Sequence, residues 1–332
     1  MRVSRIKEEG AAHYHIMSRI VDRQMLMNPS EKEYFRKLMR AVEAFSGCQV
    51  ITHATLNNHW HCLVHVPERQ PVSDEELLIR LRHLYSRIEV QGVAEALQYH
   101  RANGHERAAE AIKARYTCRM YDLSEFVKTL KQRYTQSYNR RHGRKGTLWE
   151  ERYKSVLVGG RGALLTIAAY IDLNAVRARI VEEPGSYRFC GYGEAVGGSR
   201  AAREGIMTLF EHLDHKSDWQ EAARLYRQQL FVRGEQPAED PKPGFSPEAV
   251  QAVLDSGGTL PKGQALRCRV RYFSDGVILG SRSFVDEAFK RHRDYFSPNR
   301  TTGARAMKHG RGGGLCPAGR LRMSVIQVPP PA

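Results

Sequence analysis

Cys48-Gln49-Val50-Ile51-Thr52 and then His59-Trp60-His61-Cys62-Leu63-Val64-His65-Val66-Pro67 read as apolar strand into which imidazoles have been set. Successive strand side chains point to opposite faces, so His59, His61, Leu63 and His65 share one face and Trp60, Cys62, Val64 and Val66 the other. The second set suits a core beneath helices. Three imidazoles suit a sealed interior poorly, because every buried ring nitrogen needs a partner, so the first face is expected to be open and wet. His59 and His61, one residue apart, are a candidate metal pair; hydrogen-bonded surface histidines are the alternative.

The flanking sequence supplies strands and helices in alternation. Ala12 to Met17 reads as a first strand, and Glu31 to Phe45 as an amphipathic helix with Tyr34, Leu38, Val42 and Phe45 on one stripe. Ser73 caps a further helix, with Glu76 at the third position, and Asp122-Leu123-Ser124-Glu125 opens another that runs through Phe126, Leu130, Tyr134 and Tyr138. The charged, alanine-rich stretch from about 88 to 115 also predicts helix. This order implies a small α/β sandwich with helices on one sheet face. His13-Tyr14-His15 repeats the one-residue histidine spacing on the first strand. His15 could stand beside His59 and His61, supporting their site or touching substrate.

Composition narrows the partner. The chain has 332 residues, and 52 Lys and Arg against 36 Asp and Glu give a net charge of +16. Such an excess favours a polyanion, most often nucleic acid. No apolar run approaches a spanning helix and Met1-Arg2-Val3-Ser4-Arg5 lacks the core of a secretion signal, so a cytoplasmic, nucleoid-associated protein without membrane partners is expected. The six cysteines show no C-x-x-C spacing and read as reduced thiols.

Leu164 to Ala178 is helical in character, and residues four apart share a helix face, so Tyr170 and Asn174 project together. Alone, the pair also fits an interfacial tyrosine beside a helix-end amide. Downstream of the histidine strand, a phenol and an amide oxygen become available to a metal site.

Four ordered blocks carry a resemblance. Tyr14-His15-Ile16 with Arg19, Asn58 to Val64, Tyr138 to Gly143 with Gly146 to Ser155, and Tyr170 to Ala178 resemble the REP-associated, insertion-sequence-like single-tyrosine transposases of the HUH endonuclease superfamily. The resemblance spans residues from about 10 to 195. Asn57 and Ala175 stand where that family usually has proline.

The resemblance implies an α+β fold, a ferredoxin-like or RRM-like antiparallel sheet with helices on one face. It implies that His59, His61 and Asn174 hold a divalent ion, Mg2+ or Mn2+, and that Tyr170 attacks a DNA phosphodiester. The product would be a 5′-phosphotyrosine and a free 3′-hydroxyl that can reverse the attack, so strand transfer needs no ATP. An ordinary phenol, with a pKa of about 10, needs a nearby cation or metal-bound water to become a nucleophile. The implied substrate is single-stranded DNA with a small hairpin, such as a repetitive extragenic palindrome, bound by a monomer or homodimer.

DNA contact is expected from Arg133, Arg140, Arg141, Arg144, Lys145, Arg152 and Lys154, interleaved with Tyr134, Tyr138, Trp149 and Tyr153. The aromatics fit either base stacking or a core. Residues 1–195 therefore read as the transposase domain, with 88–115 as a helical insertion, and 196–245 as a helical connector ending in the Pro- and Gly-rich linker Arg233 to Gly244. Residues 246–300 read as an accessory module, possibly DNA-binding, with a helix start at Ser246, a hairpin over Arg267 to Gly280 about Asp275-Gly276, and a basic helix from Ser283 to Phe296. Residues 301–332 read as a basic disordered tail. Two other readings stand beside the transposase: a replication-initiator or relaxase-like nuclease, against which the lack of a G-x-x-x-x-G-K-[ST] motif counts, and a non-cutting DNA-binding module of the same fold.

Overall fold

A computed structural model describes residues 5–210, 218–232, 247–255, 276–305 and 315–319. Strand β1 (Ala12–Arg19) leads through α1 (Pro29–Ser46) to β2 (Gln49–Thr55) and β3 (His59–Val66). Helices α2 (Asp74–Leu81), α3 (Arg87–Ala102) and α4 (Glu106–Thr117) precede α5 (Leu123–Arg141) and β4 (Lys154–Val158). Then come α6 (Arg161–Asp172), the single turn α7 (Asn174–Arg177), α8 (Gly191–Val196), α9 (Arg200–Met207), α10 (Trp219–Val232) and α11 (Pro247–Asp255). Strand β5 (Gly276–Gly280), α12 (Arg282–Arg291) and β6 (Cys316–Gly319) complete the described chain.

The sheet order is β2-β3-β1-β4-β5-β6. Pairing is antiparallel among the first four strands, and the connections β1-α1-β2 and β3-α5-β4 make this core the split β-α-β-β-α-β arrangement. β5 joins β4 in parallel at Leu157 and Val158, so the segment expected to form an accessory module is hydrogen-bonded into the same sheet and the sheet is mixed. The linker over 233–244 and the hairpin's first strand lie outside the described residues, as does most of the tail. Among the described residues, no helix is long and apolar enough to cross a membrane.

Helix α1 starts where Asn28 accepts the Glu31 backbone N–H at 2.9 Å and stops at Gly47, whose φ of 72° suits a residue without Cβ. Its buried stripe is Phe35, Met39, Val42 and Phe45 rather than the expected one, with Tyr34 and Leu38 turned to the half-buried flank. Phe35, Met39 and Val42 share a core with Trp60, Cys62 and Val64 of β3 and Leu130, Tyr134 and Tyr138 of α5, while Phe45 faces α2 to α4. Helices α2 to α4 form a satellite with a core of their own, built on Leu77, Leu81, Val90 and Leu97.

Helices on one face of the sheet do not complete the architecture. The imidazole face is covered as well, by α6, α8, α9 and α10, whose Ile167, Ala168, Ile171, Ala195, Ile206 and Tyr226 share a core with Ile51, Leu63 and Val156 of the sheet. The period-two pattern shows which residues share a face but not what lies over it. Small side chains permit the close cover: Gly191 sits where a Cβ would come within 2.1 Å of Thr52 Oγ1.

Candidate active site

The strand register sets the site. On β1 and β3, Met17 lies opposite His61 and Arg19 opposite His59, so these side chains share a face with His15 and His65. Lys154 of β4, opposite Met17, extends the row. The expected open, wet face is instead a covered one: His15 and His61 are only 1% and 2% exposed, while His59 is half-buried and Arg19 exposed at the strand end.

Each imidazole of the pair uses Nδ1 on a neighbour. His59 Nδ1 lies 2.6 Å from Asn58 Oδ1, and His61 Nδ1 lies 3.0 Å from His15 Nε2. With a proton on each Nδ1, the lone pairs sit on the two Nε2 atoms, the arrangement of imidazoles that bind an ion through Nε2 and are oriented by a second partner. Burial lowers the His59 pKa to about 4, helped by Arg19; burial also holds His61 well below its ordinary value, helped by His15 and His59. Both rings are therefore neutral near neutral pH, and they fit a divalent ion.

Tyr170 stands on α6 over this pair. Its ring centroid is 5.7 Å from that of His61 and 5.8 Å from that of His15, in edge-on packing. It is 3% exposed, but its ring neighbours are imidazoles and a guanidinium rather than an apolar cluster alone: the Arg177 guanidinium carbon is 4.5 Å from the ring centroid. Asn174 begins the turn after α6, and its Nδ2 donates to the carbonyls of Tyr170 and Ile171 at 3.0 and 3.1 Å, leaving Oδ1 as the amide's acceptor. Among the described residues no three His, Cys, Asp or Glu side chains group as metal ligands.

Sequence reasoning passed over Arg177, Asn58 and Asp172. Arg177 was findable, because seven residues after Tyr170 is two helical turns and the same face. Asp172 was not. It is fully buried and accepts from Thr52 Oγ1 at 2.8 and 2.9 Å, from the Tyr192 backbone at 2.9 Å and from Tyr226 hydroxyl at 2.5 Å, tying the end of α6 to β2, α8 and α10.

The basic block is divided. Arg140, Lys145, Arg152 and Lys154 are exposed. Arg141 is held by Glu31 at 2.5 Å and Arg144 by the Thr147 carbonyl at 2.8 Å, while Arg133 lies over the Tyr85 ring. Tyr134, Tyr138, Trp149 and Tyr153 all belong to the core under the sheet, which favours the packing alternative for them.

Comparison with known proteins adds three findings. The model of the IS200-like transposase family matches residues 10–105 and 112–174. A solved structure of a REP-associated tyrosine transposase bound to a REP hairpin is similar to 60% of this chain and 87% of its own, with 12% identity and a TM-score of 0.39. No curated protein matches the chain in sequence.

Proposed function

We propose that this chain, which the IS200-like transposase model matches over residues 10–105 and 112–174, nicks and rejoins single-stranded DNA at hairpin sites, with Tyr170 as the nucleophile. One observation carries the reading: the Tyr170 ring stands 5.7 Å from His61, on the face that also bears His59. A single-strand cleaving enzyme needs its nucleophile and its phosphate-holding group this close together.

Magnesium or manganese at His59, His61 and Asn174 would supply Lewis acidity and a fixed position for the scissile phosphate. The protein's own groups do the rest. Asn58 and His15 orient the two imidazoles. Arg177 holds its charge over the phenol, favouring the phenolate as the proton leaves. Tyr170 Oη bonds to phosphorus, the bond from phosphorus to the 3′ oxygen breaks, and that oxygen leaves as a hydroxyl after taking a proton; the chain keeps a 5′-phosphotyrosine. Attack by a second 3′-hydroxyl reverses these bond changes and frees Tyr170.

The approach is at the strand ends. Arg19, exposed beside His59, and the exposed Lys154 border the covered imidazoles with positive charge. The hairpin itself rests on the family resemblance and on Arg140 and Lys145, which have no ion-pair partner among the described residues and suit phosphate contact.

The test is covalent capture. Purified protein is incubated with manganese and single-stranded hairpin DNA from the flanks of its own gene, and a denaturation-resistant adduct is sought. Tyr170→Phe is expected to abolish the adduct and retain hairpin binding. An adduct on the Phe variant would assign the nucleophile elsewhere.

A further inference from the structure

In the layer of α5, on the other face of the sheet from the imidazoles, a cleft of about 780 Å3 runs between α5 and residues 147–153. Its walls include Arg5, Lys128, Lys131, Gln132, Gln136 and Arg152. Its size falls within the roughly 300–1,000 Å3 typical of clefts that hold small organic ligands, enough for a nucleotide.

The chemistry of the walls asks for an anion. Lys131 Nζ is half-buried, 5.0 Å from the centroid of Trp149 and 3.0 Å from the Glu151 carbonyl oxygen, with no carboxylate partner among the described residues. Burial, with Arg5 nearby, lowers its pKa to about 8. A desolvated ammonium held beside another cation is costly unless an anion completes the site. Four cations face two carboxylates here, and Lys128 is partly committed to Glu125 at 2.9 Å. Gln132 and Gln136, exposed and one turn apart on α5, offer amide donors and acceptors of the kind that reach base edges.

The cleft also reaches the sheet edge that borders the proposed site. Tyr153, with the Arg5 guanidinium 3.6 Å from its ring centroid, lines the cleft, and Lys154, the next residue, lies on the imidazole face opposite Met17. β5 covers β4 only at Leu157 and Val158, so among the described strands the β4 edge at Lys154 has no neighbour. The Glu150 backbone N–H donates to the Arg19 carbonyl at 3.0 Å, placing the cleft wall against the strand end that carries Arg19. A strand leaving the cleft can round this edge and meet Arg19 and His59.

We propose that this cleft binds the unpaired stretch of DNA adjoining the cleaved phosphate, with Lys131 and Lys128 on its phosphates and Gln132 and Gln136 against its bases. The inference rests on the single-strand transposase reading above and adds a second, distinct place where the strand is held.

The test uses a short oligothymidylate, whose binding by the full chain is measured across a salt series. Lys128→Gln with Lys131→Gln is expected to weaken binding about tenfold and to reduce the slope of log affinity against log salt by about 1.4, two single-strand phosphates at roughly 0.7 each. Duplex DNA of the same length should lose less than about twofold. An unchanged slope, or an equal loss on duplex, overturns the proposal. In the unaltered protein, oligothymidylate should protect Lys131 from reductive methylation, and equal labelling with and without it counts against the cleft. The two readings fail separately: a chain that forms no adduct on hairpin DNA yet binds oligothymidylate through these lysines keeps the cleft and loses the transposase chemistry. An adduct formed by a double variant with undiminished single-strand affinity does the reverse.

Discussion

Arg177 grips Tyr170 twice: its Nη1 donates to the Tyr170 carbonyl at 3.0 Å while the guanidinium carbon lies 4.5 Å from the centroid of the same residue's ring. The first contact fixes the end of α6, and the second sets a permanent charge beside the phenol. A cation over an aromatic face is worth roughly 0.5–2 kcal/mol. Arg177→Ala is therefore expected to slow adduct formation about tenfold with hairpin affinity changed less than about threefold, and Arg177→Lys to recover part of the rate. Equal single-turnover rates for the Ala variant and the parent would remove Arg177 from the chemistry.

In the proposed reaction, the 3.0 Å contact between His15 Nε2 and His61 Nδ1 would give His15 an indirect role. Losing the partner that orients a metal-bound imidazole typically costs about 10–100-fold in metal affinity. His15→Ala should raise by that factor the manganese concentration giving half-maximal cleavage, with activity restored at saturating metal. His61→Ala should stay inactive at every concentration. If the manganese titrations of His15→Ala and the parent superimpose, His15 does not act through His61.

Much of this arrangement was visible in the chain. The alternation His59, His61, Leu63, His65 correctly gave one face, because register follows directly from the pleat. The helix starts at Ser73 and Asp122 were legible from capping side chains, which act over three residues. Contacts between distant positions were not legible. Glu194 meets Arg36, Arg40 and His53 across more than 140 residues, and Thr52 meets Asp172 across 120. The cover over the imidazole face escaped for the same reason: nothing local in Ala163, Ala168 or Ala169 says which sheet they lie on.

Acid should destabilise the fold. Burial depresses His13 and His59 to about 4 and lowers His53 and His61 as well. These groups are neutral in the fold but take up protons near 6.5 when unfolded, so stability is lost as pH falls from about 6.5 toward about 4. For Glu194, burial acts to raise the pKa, but His53 and Arg40 outweigh it and hold the carboxyl far below the usual range; its contribution is lost at still lower pH. Asp172, raised by burial to about 6, opposes the trend, as does Glu43, whose carboxyl burial also raises. Melting temperatures should drop steadily between about pH 7 and 5. Glu194→Gln, which leaves Arg36 only Glu33 and Arg40 only Glu43 as carboxylate partners, should cost about 1–3 kcal/mol at neutral pH. A flat melting profile across that range would contradict the buried, neutral imidazoles.

Tyr226 on α10 reaches Asp172 at 2.5 Å, and through Asp172 it steadies the helix end that carries Tyr170 and Asn174. A hydroxyl donated to a carboxylate stabilises the ionised form, so removing it matters most above the folded pKa of Asp172, about 6. Near pH 8, Tyr226→Phe leaves a fully buried carboxylate short of a donor and should cost about 1–3 kcal/mol. Near pH 5 the carboxyl is protonated in the fold and the cost should shrink below about 1 kcal/mol. Urea unfolding of the parent and variant at the two pH values gives the difference directly. The rate of adduct formation should fall in the variant at the higher pH, with hairpin affinity retained. A destabilisation independent of pH would mean that Tyr226 contributes ring packing against Tyr192 and Phe210 rather than its hydroxyl.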